Sequence, residues 1–455
     1  MKVFSLYILM TSFFFSNQVI AQDNRVVRID SVLSGLYKKH LFNGAIVAGE
    51  NGKIIFSKGY GYADFDDSSL FTPDTPADGG SNAKTITAAS VLMLANEGKL
   101  KLADPVRKYI PNYPYPNTSV RNFITHSTGG LPDYDYFFEN APDTAIVTTS
   151  LNVAILNKKK PTLNYAPDSN FYYDNVGFDI AALLVERVTG KPYYQFLKER
   201  FFEPLQMSSS FIRPAQLNNW RNRTIGYRYQ NDSLKLFDIA DREGFYGGCN
   251  IWFTAKDLYH YGESFYQSIF PDSFVNQITS KVFIGSQPSD VRLGAWYKGK
   301  TKNAFYYWGN VAGFYSWVYW DRKNKFSIAF MTNTAMPQWL RPQLTSALIN
   351  IISNKEFPAI EEPQRKAIDR NSLHHVAGTY ELDHLGKVQI TVDGTKVNLR
   401  LNEGMEYQMH LVDKSTFYVP GLDPWISFDS FSDNKFQRIY WSSTVLESKG
   451  KPVSD

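Results

Sequence analysis

The chain has 455 residues, is 43% hydrophobic and 20% charged, and carries a formal net charge of +4. That length suggests roughly two to four domains, the composition is globular rather than disordered, and so small a charge excess points to neither a nucleic-acid nor a membrane-surface partner. A single cysteine excludes a disulfide framework, and the seven histidines form no His/Asp/Glu cluster at zinc spacing.

The N-terminus reads as a signal peptide over residues 1–21. Lys2 precedes an apolar run over 3–15, and Val19-Ile20-Ala21 offers a small-residue cleavage site before Gln22. The run is short for a membrane span and no stop-transfer flank follows. No cysteine adjoins the cleavage site to take a lipid. The expectation is export to the periplasm or beyond the cell, with no membrane anchor in the mature chain. Residues 27–40 then predict an amphipathic helix. The β-rich runs 44–49 and 53–59 flank Asn51-Gly52 and predict a hairpin.

Gly79-Gly80-Ser81-Asn82-Ala83-Lys84 leads into a run rich in Ala, Leu and Met that ends at Gly98. This predicts a helix starting near Ser81 and stopped by a glycine able to take the left-handed conformation. Ser81 and Lys84 are three apart and share one face of the first turn. A serine hydroxyl becomes a nucleophile when a base takes its proton. A lysine can be that base when neutral, and both burial and a helix N-terminus disfavour the charged amine. Backbone N–H groups at the same helix start can hold an oxyanion. The spacing alone decides nothing: it recurs at Ser432 with Lys435 and at Ser448 with Lys451, and Ser81 fits equally an ordinary N-cap. Neither repeat opens an apolar helix.

Residues 102–109 predict a short helix, and 120–132 a helix followed by the turn Thr125-His126-Ser127-Thr128-Gly129-Gly130-Leu131-Pro132. The succession of Ser-x-x-Lys, helix, Glu-Gly-Lys-Leu, Asp-Pro and this turn resembles the serine β-lactamase and penicillin-binding-protein superfamily, within it the class C-like hydrolases and esterases. The resemblance spans roughly residues 40–355. It implies that Ser81 is the nucleophile and that His126 is a structural histidine outside the site. It also implies that no metal or organic cofactor is needed.

Residues 140–165 show no clear motif. Tyr173-Asp174-Asn175 precedes a helix predicted over 178–188 and capped by Gly190; Tyr-x-Asn recurs at Tyr115 and Tyr229, but not before a long apolar helix. It resembles the family's Tyr-Ser-Asn loop with Asp174 in place of serine. Tyr173 would share the base role with Lys84 and protonate the leaving group. Asn175, which can donate and accept, suits a substrate carbonyl. The segments 201–207 and 247–258 continue the resemblance, the second with a helix capped at Thr254.

Residues 293–297 and 304–309 predict strands, the second being the edge strand beside the nucleophile. Related chains carry Lys-Thr-Gly or His-x-Gly there, and aligning Gly309 with that pattern puts Tyr307 at the basic position. Tyr307, Gly309 and Asn310 are thus expected to bind substrate, and the Asn310 and Ser81 N–H groups to form the oxyanion hole. A neutral tyrosine supplies no charge for a carboxylate, which favours neutral esters or amides unless Arg292, Lys298, Lys300 or Lys302 restores charge from a neighbouring loop. Further strands are predicted over 314–319 and 326–332, and a last helix over 339–353.

The fold class expected is α+β, an antiparallel sheet flanked by helices with an inserted, mainly helical region and a small C-terminal all-β domain. The predicted division is a hydrolase domain over 22–356, a polar linker over 357–371, and a barrel or sandwich of short alternating strands over 372–455. The reading that follows is a secreted serine hydrolase acting on a small molecule or peptide. The alternative is a non-catalytic binding or sensor module of the same fold. Nothing in the sequence specifies an oligomer.

Overall fold

The structure is a computed structural model. It describes residues 23–453 apart from 217–219, 221–222, 231–232, 365, 367–374, 383–385, 402–405, 414, 420–423, 434 and 443–446. The predicted signal peptide, and residues 365 and 367–371 of the predicted linker, lie outside the described residues.

The fold is α+β. Its centre is a six-stranded antiparallel sheet of β1 (Gly44–Glu50), β2 (Lys53–Tyr60), β3 (Tyr297–Lys298), β4 (Ala304–Val311), β5 (Phe314–Asp321) and β6 (Phe326–Thr332), ordered β3-β4-β5-β6-β1-β2. All residues of β5 and β6 are buried because both faces of the sheet are covered. Successive side chains point to opposite faces, so Tyr315, Trp317 and Tyr319 enter one core while Phe314, Val318 and Trp320 enter the other. The first core includes α1 (Asn24–Lys38) through Ile29, Leu33 and Leu36. The second holds α2 (Ala83–Asn96), α3 (Asn175–Thr189) and α4 (Ala255–Glu263). A last helix, α5 (Leu340–Ile352), packs with α1.

α2 is the helix the site is built on. All its residues except Met93, Ala95 and Asn96 are buried, and its buried polar side chains, Lys84, Thr85, Thr87 and Ser90, each find a hydrogen-bond partner. Its start is tighter than predicted: Gly80–Asn82 form a 3-10 turn and the α-helix begins at Ala83. Asn82, the N-cap of the α-helix, does not cap it through its side chain.

Several expectations need correction. Residues 102–109 hold only a 3-10 turn over Val106–Lys108. The stretch without a motif contains the helix Thr149–Lys159; its buried face includes Thr149 and Asn152 beside Val153, Ile155 and Leu156, which blurs the apolar period. Of the strand predicted over 293–297 only Tyr297 pairs within the sheet, since Ala295 has φ +65° and turns the chain. α3 starts three residues early because Asp174 caps it, accepting from Gly177 N at 2.8 Å.

The C-terminal strands close into an eight-stranded barrel from Gly378–Leu382 to Glu447–Pro452. The last strand, Glu447–Pro452, carries three charged residues and no apolar alternation, so it does not follow the short alternating pattern the sequence shows elsewhere in this region. Among the described residues no helix is long and apolar enough to cross a membrane.

Candidate active site

The first turn of α2 places Ser81 and Lys84 together. Lys84 is fully buried, and its Nζ donates to Asn175 Oδ1 at 2.8 Å and to the Gly248 carbonyl at 2.8 Å, with Ser81 Oγ at 3.0 Å. Two of these partners are carbonyl oxygens that only accept. They claim two N–H bonds and leave the remaining tetrahedral position of the nitrogen facing Ser81 Oγ. That position holds a proton in the ammonium and a lone pair in the amine. The geometry therefore suits a reversible proton transfer with the serine. The Ser81 hydroxyl does not cap the helix; it lies between Lys84 and the Tyr173 hydroxyl, which approaches it to 2.8 Å.

Tyr173 is held from behind. His126, fully buried at φ +55°, stacks on its ring at 4.6 Å with 20° between planes. The His126 carbonyl accepts from Tyr172 N at 2.8 Å and its Nδ1 accepts from Asp174 N at 2.9 Å, so one residue grips the loop on both sides of Tyr173. Burial, and then the nearby Lys84, push the His126 pKa well below its ordinary value. The ring is neutral and touches neither Ser81 nor Lys84 by a hydrogen bond, in keeping with a structural role. Asp174 stands where related chains carry serine, and both residue types cap a helix through a side-chain oxygen. It is buried, accepts also from Thr128 Oγ1, and burial lifts its pKa to about 6.

Asn175 is the first residue of α3. Its Oδ1 faces Lys84 while its Nδ2 donates to the exposed Asp133 carboxylate at 3.1 Å, which fixes the amide's orientation. Asp133 also caps the next helix, Tyr134–Asn140. One turn after Asn175, Asp179 accepts from Gly248 N at 2.7 Å. A methyl at Gly248 would sit 2.6 Å from the Asn175 carbonyl, so only glycine lets this turn reach Lys84. Sequence reasoning missed Asp133, Gly248 and Asp179. A lone carboxylate within the apolar run Phe178-Asp179-Ile180-Ala181 was a usable signal for Asp179.

β4 closes the other side. β3 pairs only with Phe305 and Tyr306, so the rest of β4 is an open edge at Ser81. Gly299 N reaches the Ala304 carbonyl on the β3 side. Backbone groups alternate along an antiparallel strand, so those of Asn310 face the same way, past the end of β3. A methyl on Gly80 would meet Asn310 N at 2.8 Å, and one on Gly309 would meet the Gly79 carbonyl at 1.9 Å. Ser316 Oγ donates to that carbonyl at 2.6 Å and accepts from Asn82 Nδ2 at 2.7 Å. Gly309 is thus a packing requirement as well as a candidate substrate contact. Arg341 Nη2 donates to Asn310 Oδ1 at 3.2 Å and its guanidinium lies over Tyr315 at 4.6 Å, another residue that sequence reasoning missed.

Tyr307 departs most from expectation. It is 1% exposed, its hydroxyl has no hydrogen-bond partner among the described residues, and Tyr297 packs on it at 5.6 Å. Burial, and then the Tyr173 phenol, hold its proton on far above the ordinary range. It is a neutral, buried phenol within the electrostatic reach of Tyr173.

A family model described as Beta-lactamase matches residues 29–349. The chain belongs to the β-lactamase family. Among curated members it is similar to penicillin-binding protein 4* of Bacillus subtilis strain 168, 22% identical over 437 residues, covering 90% of this chain and 94% of that protein. It is also similar to protein flp of Staphylococcus aureus strain MW2, 26% identical over 350 residues, covering 73% and 68%. The octameric penicillin-binding protein homologue from Pyrococcus abyssi shares the fold with a TM-score of 0.63 at 19% identity, over 94% of this chain and 100% of that one. FmtA from Staphylococcus aureus does so with a TM-score of 0.62 at 22% identity, over 75% and 90%. The class C-like β-lactamase fold is therefore present, and the match to the Pyrococcus protein covers enough of the chain to take in the barrel.

Proposed function

We propose that this β-lactamase-family chain is an exported serine hydrolase that cleaves an ester or amide of a small molecule or peptide through an acyl-enzyme on Ser81. The observation that carries the reading is the meeting of Ser81 Oγ with Lys84 Nζ at 3.0 Å and Tyr173 OH at 2.8 Å. The serine proton passes to the Lys84–Tyr173 pair as Oγ bonds to the substrate carbonyl carbon. The oxygen that becomes negative is held by the N–H groups of Ser81 and Asn310. Asn175 orients the substrate carbonyl. Collapse breaks the bond to the leaving group, which takes its proton from Tyr173 or Lys84, and water then releases the acyl group by the same route reversed. The working division is a hydrolase domain over 22–356 joined through 357–371 to a barrel over 372–455.

Tyr307 in place of a basic residue supports neutral esters and amides over carboxylate-bearing substrates. Initial rates on p-nitrophenyl acetate and nitrocefin test both points, with Ser81→Ala as control. The expected result is ester turnover that the variant loses and weak nitrocefin turnover. Brisk turnover of nitrocefin alone overturns the substrate preference. A stable Ser81 adduct without turnover of either supports the non-catalytic sensor reading instead.

A further inference from the structure

The groups directly around Ser81 leave one buried carboxylate unexplained. Asp179 is fully buried in the middle of an apolar helix turn, and its Oδ2 has no hydrogen-bond partner among the described residues. A buried, half-satisfied carboxylate costs stability. Its Oδ1 accepts from Gly248 N at 2.7 Å, and the carbonyl of that same residue accepts from Lys84 Nζ at 2.8 Å. Asp179 also lies four residues after Asn175, on the same face of α3, and Asn175 Oδ1 is Lys84's other fixed acceptor. Both fixed partners of the catalytic amine are therefore tied to one helix face, and one of them is tied through Asp179.

We infer that Asp179 is a positioning residue for the acylation step: acting through Gly248, its carboxylate stabilises the ammonium that forms on Lys84 when Ser81 gives up its proton. An ionised acceptor strengthens the hydrogen bond to the Gly248 N–H. It fixes the carbonyl on the same glycine towards Nζ and adds a negative charge behind it. No atom of Asp179 touches the substrate.

The surroundings leave two buried carboxylates that titrate near neutral pH, Asp179 and Asp174. Facing it are Lys84 from α2, Asp174 from the loop before α3, Tyr134, the pair Tyr193 and Tyr246 with Glu186 behind them, and Cys249 beside Gly248, with Glu243 beyond. Burial raises the pKa of Tyr134, Tyr193, Tyr246 and Cys249, which stay neutral near pH 7. Burial also lifts Asp179 to about 7, against the pull of Gly248 N–H and Lys84. Asp174, near 6, titrates lower.

This inference rests on the proposed acyl-enzyme, and one experiment separates the two. The second-order rate of Ser81 modification by a fluorophosphonate probe is measured from pH 5 to 9 for the full chain, for Asp179→Asn and for Asp179→Glu. The asparagine keeps an acceptor for Gly248 N–H and loses the charge. The expected result is a wild-type rate that rises through about pH 7 and an Asp179→Asn rate that lacks this step and is about tenfold lower at pH 8. The Asp179→Glu variant, with melts of both variants alongside, separates charge from folding: restored pH dependence in glutamate supports the inference. An Asp179→Asn profile that superimposes on the wild type overturns it. No labelling of Ser81 in the wild type overturns the hydrolase reading itself.

Discussion

Replacing Lys84 tests the chemistry assigned to the α2 turn most sharply. Lys84→Met keeps the aliphatic stem in its buried slot and removes the nitrogen that contacts Ser81 Oγ, Asn175 Oδ1 and the Gly248 carbonyl. Each buried acceptor left unpaired costs about 1–3 kcal/mol, while removing the buried polar nitrogen relieves a desolvation cost that opposes this loss. Net stability should therefore change by no more than about 2 kcal/mol. Reactivity should change far more. Loss of a positioned base costs about 10²–10⁴ in rate, or about 3–5 kcal/mol of barrier. The companion Lys84→Arg supplies a cation that cannot give up its proton in a protein, so it should be as unreactive as methionine. The assay is the second-order rate of fluorophosphonate labelling at pH 8, with thermal melts of each variant alongside. A Lys84→Arg protein that labels within tenfold of the wild type would refute the assignment of Lys84 as a proton acceptor.

Three further outcomes follow from the same geometry. Tyr173→Phe removes the hydroxyl 2.8 Å from Ser81 but keeps the ring stacked on His126; labelling should fall by about 10² with an unchanged melt, and a lowered melt would contradict the role. Gly309→Ala places a methyl 1.9 Å from the Gly79 carbonyl and 2.8 Å from Ser316 Oγ. It should cost about 1–3 kcal/mol and slow Ser81 labelling, while an unchanged melt and rate would mean the seam is looser than described. Asp179 has a folded pKa of about 7 against an ordinary 3.8. The folded chain holds a proton that the unfolded chain has released between those values, so this group's contribution to stability is greatest at low pH and is lost as pH rises through 7. Asp179→Asn should therefore raise the melting temperature at pH 8 more than at pH 4, and equal shifts at both would count against the buried carboxylate.

The sequence carried much of this arrangement, for identifiable reasons. The β1–β2 hairpin was legible because Asn51-Gly52 separates two β-rich runs. α2 and α3 were legible because their apolar residues fill the helix surface and Gly98 and Gly190 end them. Ser81, Lys84, Tyr173 and Asn175 were found because each sits at or just before such a helix. The helix Thr149–Lys159 was not legible, since Thr149 and Asn152 sit on its buried face. Nor was the last barrel strand, whose Glu-Ser-Lys-Gly-Lys-Pro sequence lacks an apolar alternation. The second layer of the site was the least visible part. Gly248 contributes a carbonyl, which leaves no mark in a side-chain pattern, and it comes from a turn 164 residues after Lys84. The burial of Tyr307 was equally hidden, because it depends on Tyr297 from the short neighbouring strand.

In the proposed mechanism Ser81 carries the acyl group during turnover. Rapid-quench intact-mass analysis of the mature chain mixed with p-nitrophenyl acetate, followed by peptide mapping, reads this directly. The expected result is a single acetyl adduct on the peptide containing Ser81 that forms within one turnover and decays as free acetate appears, with none in Ser81→Ala. Ester hydrolysis at an undiminished rate with no adduct at Ser81, or with the adduct on another residue, would contradict it.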